Sequence, residues 1–292
     1  MRIGIIGTGR MGAAIAHRLI DCGHPLTVWN RSREKTLPLE ARGATVAATP
    51  AELVGESELI ISILTDAAAI DSAYAGEAGV LSAAIAGKLF IEMSTVRPGT
   101  QTALNQKIAA LGGAMIDCPV GGTVGPARDG KLFGLVGGAD ADVARARPVL
   151  EQLCRRIEHV GPVGAGASLK LTINLPLLVF WQSLGEALSL AAPLKLDPAR
   201  LIDILADSSG GPNMLKGRGP ALAAALAGGR AGAATFDVDS IRKDMRTMQE
   251  EAQALGRELP VTSAALKVFD RAASEGHGDA DGISLPVWWL KA

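Results

Sequence analysis

The run Gly7-Thr8-Gly9-Arg10-Met11-Gly12 constrains this chain more than any other feature. It fits G-x-G-x-x-G, directly after a strand-like apolar run at residues 2–6 and at the start of a helical pattern reaching about Cys22. Each glycine has its own reason: Gly7 permits a tight turn, Gly9 lets backbone approach a pyrophosphate, and Gly12 lets helix and strand pack closely. The anion then rests on the helix N-terminus. The surrounding rhythm supports this, since short apolar runs at 26–29, 59–64, 89–92, 115–117, 132–136 and 156–160 alternate with helical patterns. Alternation of that kind predicts βαβ units and a doubly wound, mostly parallel α/β sheet. Gly23 and Gly43 follow helical stretches, where a C-terminal cap takes positive φ, and Pro50 and Pro98 follow Thr49 and Arg97 at helix starts.

After Gly161 the strand signals vanish. Alanine- and leucine-rich helical patterns occupy 166–191, 198–206, 220–227, 240–255 and 262–275, and the connector Gly161-Pro162-Val163-Gly164 marks the change. The expected organisation is therefore a nucleotide-binding domain at 1–161 and an all-α domain at 162–292 for substrate and dimerisation. A first helix from the connector is placed to run along both. The apolar end 285–290 is expected to dock on the helical domain or on a partner subunit, and 276–282, which lacks a calcium-loop pattern, reads as a turn.

Composition excludes several classes of function. The 29 basic and 30 acidic residues leave no basic field for nucleic acid or an anionic membrane. Cys22, Cys118 and Cys154 have no disulfide or thiolate-metal spacing, and His17, His24, His159 and His277 are scattered, so no metal is expected. No apolar run reaches the ~18 residues of a membrane helix and no signal peptide precedes the first strand, which together predict a cytoplasmic protein.

Two further patterns carry chemistry. The second strand ends in Trp29-Asn30-Arg31-Ser32-Arg33, without the acid that would bind a ribose 2′-hydroxyl. The Arg31 guanidinium and the Ser32 hydroxyl instead suit a 2′-phosphate, so NADP(H) is preferred over NAD(H). Farther on, Lys170 and Asn174 share a helical face at i and i+4. The apolar neighbours Leu169, Leu171, Ile173 and Leu175 favour a neutral, proton-accepting lysine. Pro176 removes one hydrogen bond from this helix and usually bends the axis.

Gly7–Gly12, Ser94-Thr95 with Pro98, Asp117-Cys118-Pro119-Val120-Gly121-Gly122, Gly164–Asn174 and Lys243-Asp244 occur in the order and spacing of the β-hydroxyacid dehydrogenases. The chain resembles that family over almost its whole length, and Pro212–Gly217 with the Asn30–Ser32 turn looks closest to its NADPH-using semialdehyde reductases. The resemblance implies a Rossmann domain followed by a helical one, and hydride exchange between nicotinamide and a small carboxylate-bearing substrate held between the domains. Lys170 is implied as the acid/base. Ser94, Gly121, Gly122, Thr123 and Asn174 are implied at the substrate, and Asn30, Leu64, Thr65, Thr95 and Lys243 at the cofactor. A homodimer or homotetramer is expected. The chain departs from the family at Gly121, where serine is common, and at Ile173, where asparagine is common and 6-phosphogluconate-oxidising members carry histidine. These departures suggest a bulkier or less acidic substrate than 3-hydroxyisobutyrate. An imine reductase and a non-catalytic dinucleotide-binding scaffold are the alternatives, and the intact Lys170 counts against both.

Overall fold

The apolar runs become strands because they are short, rich in isoleucine, valine and phenylalanine, and bounded by glycine, proline or polar turns. The computed structural model describes residues 1–229 and 232–292. Its strands are β1 (Ile3–Ile6), β2 (Leu26–Trp29), β3 (Thr45–Val46), β4 (Leu59–Ser62), β5 (Leu89–Glu92), β6 (Ala114–Asp117), β7 (Val120–Gly121), β8 (Leu132–Gly137) and β9 (Cys154–Gly161). They form one sheet ordered β3-β2-β1-β4-β5-β6-β8-β7, with β9 on β8. Pairs from β3 to β6 are parallel, β8 runs antiparallel to β6 and β7, and β9 is parallel to β8. The two-residue strands β3 and β7 were not expected, since so short a run displays no period.

Seven helices belong to this unit: α1 (Arg10–Asp21), α2 (Leu37–Glu40), α3 (Pro50–Glu56), α4 (Ala67–Ala75), α5 (Pro98–Ala110), α6 (Val124–Arg128) and α7 (Asp140–Leu153). They cover both sheet faces, so successive residues of one strand enter different cores. Ile5, Ile61, Ile91 and Ile116 pack on one side, and Ile6, Ile60, Phe90 and Met115 on the other. The predicted stops hold: Gly23 and Gly43 take φ of +83° and +91°, and Thr49 caps α3 by accepting from Glu52 N at 3.1 Å. Because β2 and β4 flank β1 on opposite sides, the winding reverses beside β1, where such sheets bind ligands at the strands' carboxyl ends.

The helical region holds α8 (Ala165–Ala191), α9 (Pro198–Asp207), α10 (Asn213–Leu226), α11 (Val238–Ala254), α12 (Pro260–Ala272) and α13 (Ser284–Trp289). Two compact units divide at Leu171/Thr172, within α8 and beyond the glycine connector. The second unit buries Trp181, Leu184, Leu222, Met245, Phe269 and Trp288. Within it the terminal helix α13 docks by Leu285 and Trp288, and the Trp289 ring lies 3.1 Å from where a Cβ on Gly185 would be.

Two expectations need correction here. The sequence places a helix start at Pro220, whereas α10 begins at Asn213 and carries Pro220 inside, so that proline marks no first turn. The sequence also finds no membrane-length apolar run, yet Ala165–Leu194 is long and apolar enough to cross a membrane by length and composition, an 18-residue stretch of it having mean hydropathy 1.3. Lys170, Asn174, Gln182 and Glu186 interrupt the segment, which is why no uninterrupted apolar run of that length is seen in the sequence. α8 continues without a break through Pro176.

Candidate active site

At the carboxyl end of β1 the chain turns at Gly7, whose φ is +94°. A Cβ there would lie 2.4 Å from the Ile63 carbonyl oxygen, so both backbone conformation and space require glycine. Gly9 is the opposite case: it is exposed, and a Cβ built on it meets nothing within 4 Å. That open approach is what a pyrophosphate needs. Gly12 closes the motif, since a Cβ there would lie 1.9 Å from Gly7 O. α1 has no side-chain cap and no acid in its first turn, leaving its positive end for an anion beside the exposed Arg10, while Met11 packs on the core.

The glycine loop is tied to the next turn. Thr8 N donates to Asn30 Oδ1 at 3.0 Å, Thr8 Oγ1 to Lys35 O at 3.2 Å, and Asn30 Nδ2 to Ser32 O at 2.9 Å. Asn30 therefore works as a staple between the two segments. Arg31, Arg33 and Lys35 are exposed around it, and Ser32 is half-buried.

Beyond β4 and β5, Leu64 and Thr95 are half-buried and Thr65 is exposed, at the carboxyl edge of the sheet. Ser94, expected at the substrate, lies deeper than these three. It is fully buried, its hydroxyl donates to Glu92 Oε1, and the same oxygen accepts from Leu64 N at 2.7 Å. The hydroxyl's one proton and one of its two lone pairs are thus engaged inside the protein.

The turn after β6 brings Asp117 and Lys170 to the start of α8. Gly164 N and Ala167 N each donate to an Asp117 carboxylate oxygen at 2.7 Å, so a strand residue caps α8. Two turns into that helix, Lys170 Nζ donates to Val120 O at 2.8 Å. The Lys170 Nζ thus stands at the root of Gly121-Gly122-Thr123, in which Gly122 has φ +125° and Thr123 precedes α6. A Cβ on Gly121 would come to an ordinary 3.5 Å from Phe133 Cβ, so packing does not exclude the serine common there.

In the second unit Asn174 is buried, and its amide donates to Asp244 Oδ2 at 3.2 Å; Lys243 Nζ lies 2.5 Å from Asp244 Oδ1. Sequence reasoning gave no role to Glu92, Asp117 or Asp244, although the last two lie inside the recognised motifs. The available signal was an acid at a strand's carboxyl end or beside a basic residue, which by itself reads as a surface charge.

Burial pushes the Glu92 carboxyl up to about 7, against the pull of Gln101 and Ser94, and pushes Asp117 up to about 6 against the Gly164 and Ala167 amides. Folded values above the unfolded ones mean that these acids stabilise the fold fully below about pH 4, and that the contribution is lost as pH rises through 6 and 7. Thermal unfolding between pH 5 and 8 checks this. Wild-type stability relative to Glu92→Gln should fall by about 3 kcal/mol over that range. A flat difference would mean that Glu92 does not titrate there.

Comparison with known proteins bears on this arrangement. Residues 2–161 match the model of the NAD binding domain of 6-phosphogluconate dehydrogenase, and residues 164–286 match the NAD-binding model of NADP-dependent 3-hydroxyisobutyrate dehydrogenase. The chain belongs to the β-hydroxyacid dehydrogenase family. Glyoxylate/succinic semialdehyde reductase 1 of Arabidopsis thaliana is 35% identical over 96% of each chain. The 3-hydroxyisobutyrate dehydrogenase of Pseudomonas aeruginosa is 36% identical over 96% of this chain and 93% of that one. The structure of Mycobacterium tuberculosis 3-hydroxyisobutyrate dehydrogenase with L-serine superposes with a TM-score of 0.87 at 27% identity, covering 100% of this chain and 99% of that one. As a β-hydroxyacid dehydrogenase, this chain is an oxidoreductase of hydroxyacid CH–OH groups that uses a nicotinamide dinucleotide. The open Gly9 and the uncapped α1 fit that cofactor. Among the described residues no cluster of His, Cys, Asp and Glu could hold a metal.

Proposed function

We propose that this β-hydroxyacid dehydrogenase is a cytoplasmic, NADPH-dependent reductase of a small carbonyl acid, a semialdehyde or keto acid, with Lys170 as its acid. The observation that carries this reading is Lys170 Nζ on Val120 O, at the root of the Gly121–Thr123 turn. Main-chain N–H groups of such a turn suit a carboxylate. The cofactor supplies the hydride; the chain manages the proton. Lys170 as ammonium gives a proton to the developing alkoxide, and as amine takes one from the hydroxyl in the reverse direction. Asn174, oriented by Asp244, is the partner for the same oxygen or for the carboxylate. The exposed Ile173 and Leu190, the latter 84% accessible, support association into a homodimer or homotetramer.

The test follows oxidation of NADPH with glyoxylate, succinic semialdehyde and a cyclic imine. Turnover of either carbonyl acid is expected. Turnover of the imine alone would replace this reading by an imine reductase, and tight NADPH binding without turnover of any would favour a scaffold.

Arg31 supports the NADP preference. Arg31→Ala should weaken NADPH by about tenfold while NADH changes little, because only NADPH carries the 2′-phosphate. Dissociation constants of both cofactors check this, and equal losses would take Arg31 away from the phosphate.

A further inference from the structure

Glu92 is buried at the end of β5, and the groups recorded on it are neutral donors. Ser94 Oγ and Gln101 Nε2 donate to its two oxygens, Ser94 N lies 3.2 Å from each, and Ser62 Oγ stands 3.4 Å from Oε1. The titratable groups facing it are Tyr74 from α4, which shares a hydrogen bond with Ser62, and Asp117, its register partner on β6. A carboxyl in such a place costs desolvation and is retained against that cost.

What it holds is informative. With its proton directed at Glu92, the Ser94 oxygen turns its lone pair to Leu64 N at 2.7 Å, joining the segment after β5 to the segment after β4. That second segment is the wall of the glycine loop. Ile63 O and Leu64 Cδ2 lie 2.4 and 3.0 Å from where a Cβ on Gly7 would be, so a shift of Leu64 changes the room in which Gly7 turns. The contacts run without a gap from Glu92 through Ser94 and Leu64 to the loop that receives the pyrophosphate.

We propose that Glu92 is a positioning residue for the dinucleotide site: its carboxyl oxygen orients the Ser94 hydroxyl, which latches Leu64 and so fixes the wall of the Gly7–Gly12 loop. The function requires an acceptor oxygen at this point, and a neutral amide supplies one as well. The proposal rests on dinucleotide binding and is independent of the substrate and of the cofactor preference.

The experiment measures NADPH and NADH dissociation constants by fluorescence, together with thermal stability, for Glu92→Leu, Ser94→Ala, their double variant and Glu92→Gln. Glu92→Leu and Ser94→Ala should each weaken the tighter-binding cofactor by about tenfold, about one hydrogen bond's worth. The double variant should lose no more than either single, because both break one latch, and Glu92→Gln should stay within about twofold of wild type. A general loss of stability would lower Tm in the double variant additively without producing this pattern in affinity. Wild-type affinity in folded Glu92→Leu or in Ser94→Ala overturns the proposal, as do additive losses. Should Glu92→Leu not fold, Ser94→Ala decides, with amide exchange at Leu64 as the second reading: faster exchange supports the latch and unchanged exchange refutes it.

Discussion

Lys170→Ala is expected to lower kcat by ~10²–10⁴, the usual share of a positioned acid–base group, while the cofactor dissociation constant stays within about twofold of wild type. The separation follows from location. Lys170 donates to the Val120 carbonyl beside the Gly121–Thr123 turn, whereas the glycine loop and the Asn30 staple lie at β1 and β2. Lys170→Arg should recover little, because a guanidinium stays protonated and its planar fork does not reproduce the single bond to Val120 O. Steady-state kinetics on the best substrate, with cofactor binding measured in parallel, provide the check. An unchanged kcat would remove Lys170 from proton transfer, and a joint loss of binding and turnover would point to a displaced α8 instead.

The second large effect separates two glycines of one motif. Gly12→Ala forces a Cβ to within 1.9 Å of Gly7 O, a backbone atom that cannot turn aside. Overpacking of this kind should cost about 3 kcal/mol, or about 6–10 °C in Tm, with cofactor binding lost as the turn opens. Gly9→Ala meets nothing within 4 Å, and its φ of −65° suits any residue, so stability should hold to within about 0.5 kcal/mol. Its methyl group nevertheless stands where the backbone must meet a pyrophosphate, and affinity should fall by about tenfold or more. Calorimetry and cofactor titration of the two variants decide the matter. Equal thermal losses would contradict the packing described for Gly12, and unchanged affinity in Gly9→Ala would place the phosphates elsewhere.

The Arg31, Lys170 and glycine substitutions all concern local patterns, which the sequence displays for one common reason. A glycine loop, a strand-end basic turn and an i, i+4 helical pair depend on neighbours a few residues away, so spacing alone reports their geometry. Ser94 shows where that stops. As a small hydroxyl at the carboxyl end of a strand it reads as a substrate donor, and only the depth of β5 in the sheet reveals that its hydroxyl is spent on Glu92 and Leu64. Asp117 is similar, since the amides it caps lie 47 and 50 residues away. Pro220 misled for the opposite reason: a proline near a helix start and a proline within a helix have the same local signature.

By itself the sequence determined the doubly wound sheet and the helical region after it, the tight turn at Gly7 and close packing at Gly12, and the sharing of one helix by Lys170 and Asn174. These follow from period, turn chemistry and short-range geometry, which are written locally along the chain. The tertiary structure alone decided that Asp117 caps α8, that Lys170 reaches Val120, that Asp244 orients Asn174, and that Glu92 and Ser94 are an internal latch. All but the Glu92–Ser94 bond join residues 30 or more apart in sequence, and that bond matters through Leu64, 30 residues from Ser94. The existence of such contacts depends on which groups folding removes from water together, since each polar group buried without a partner carries a desolvation cost.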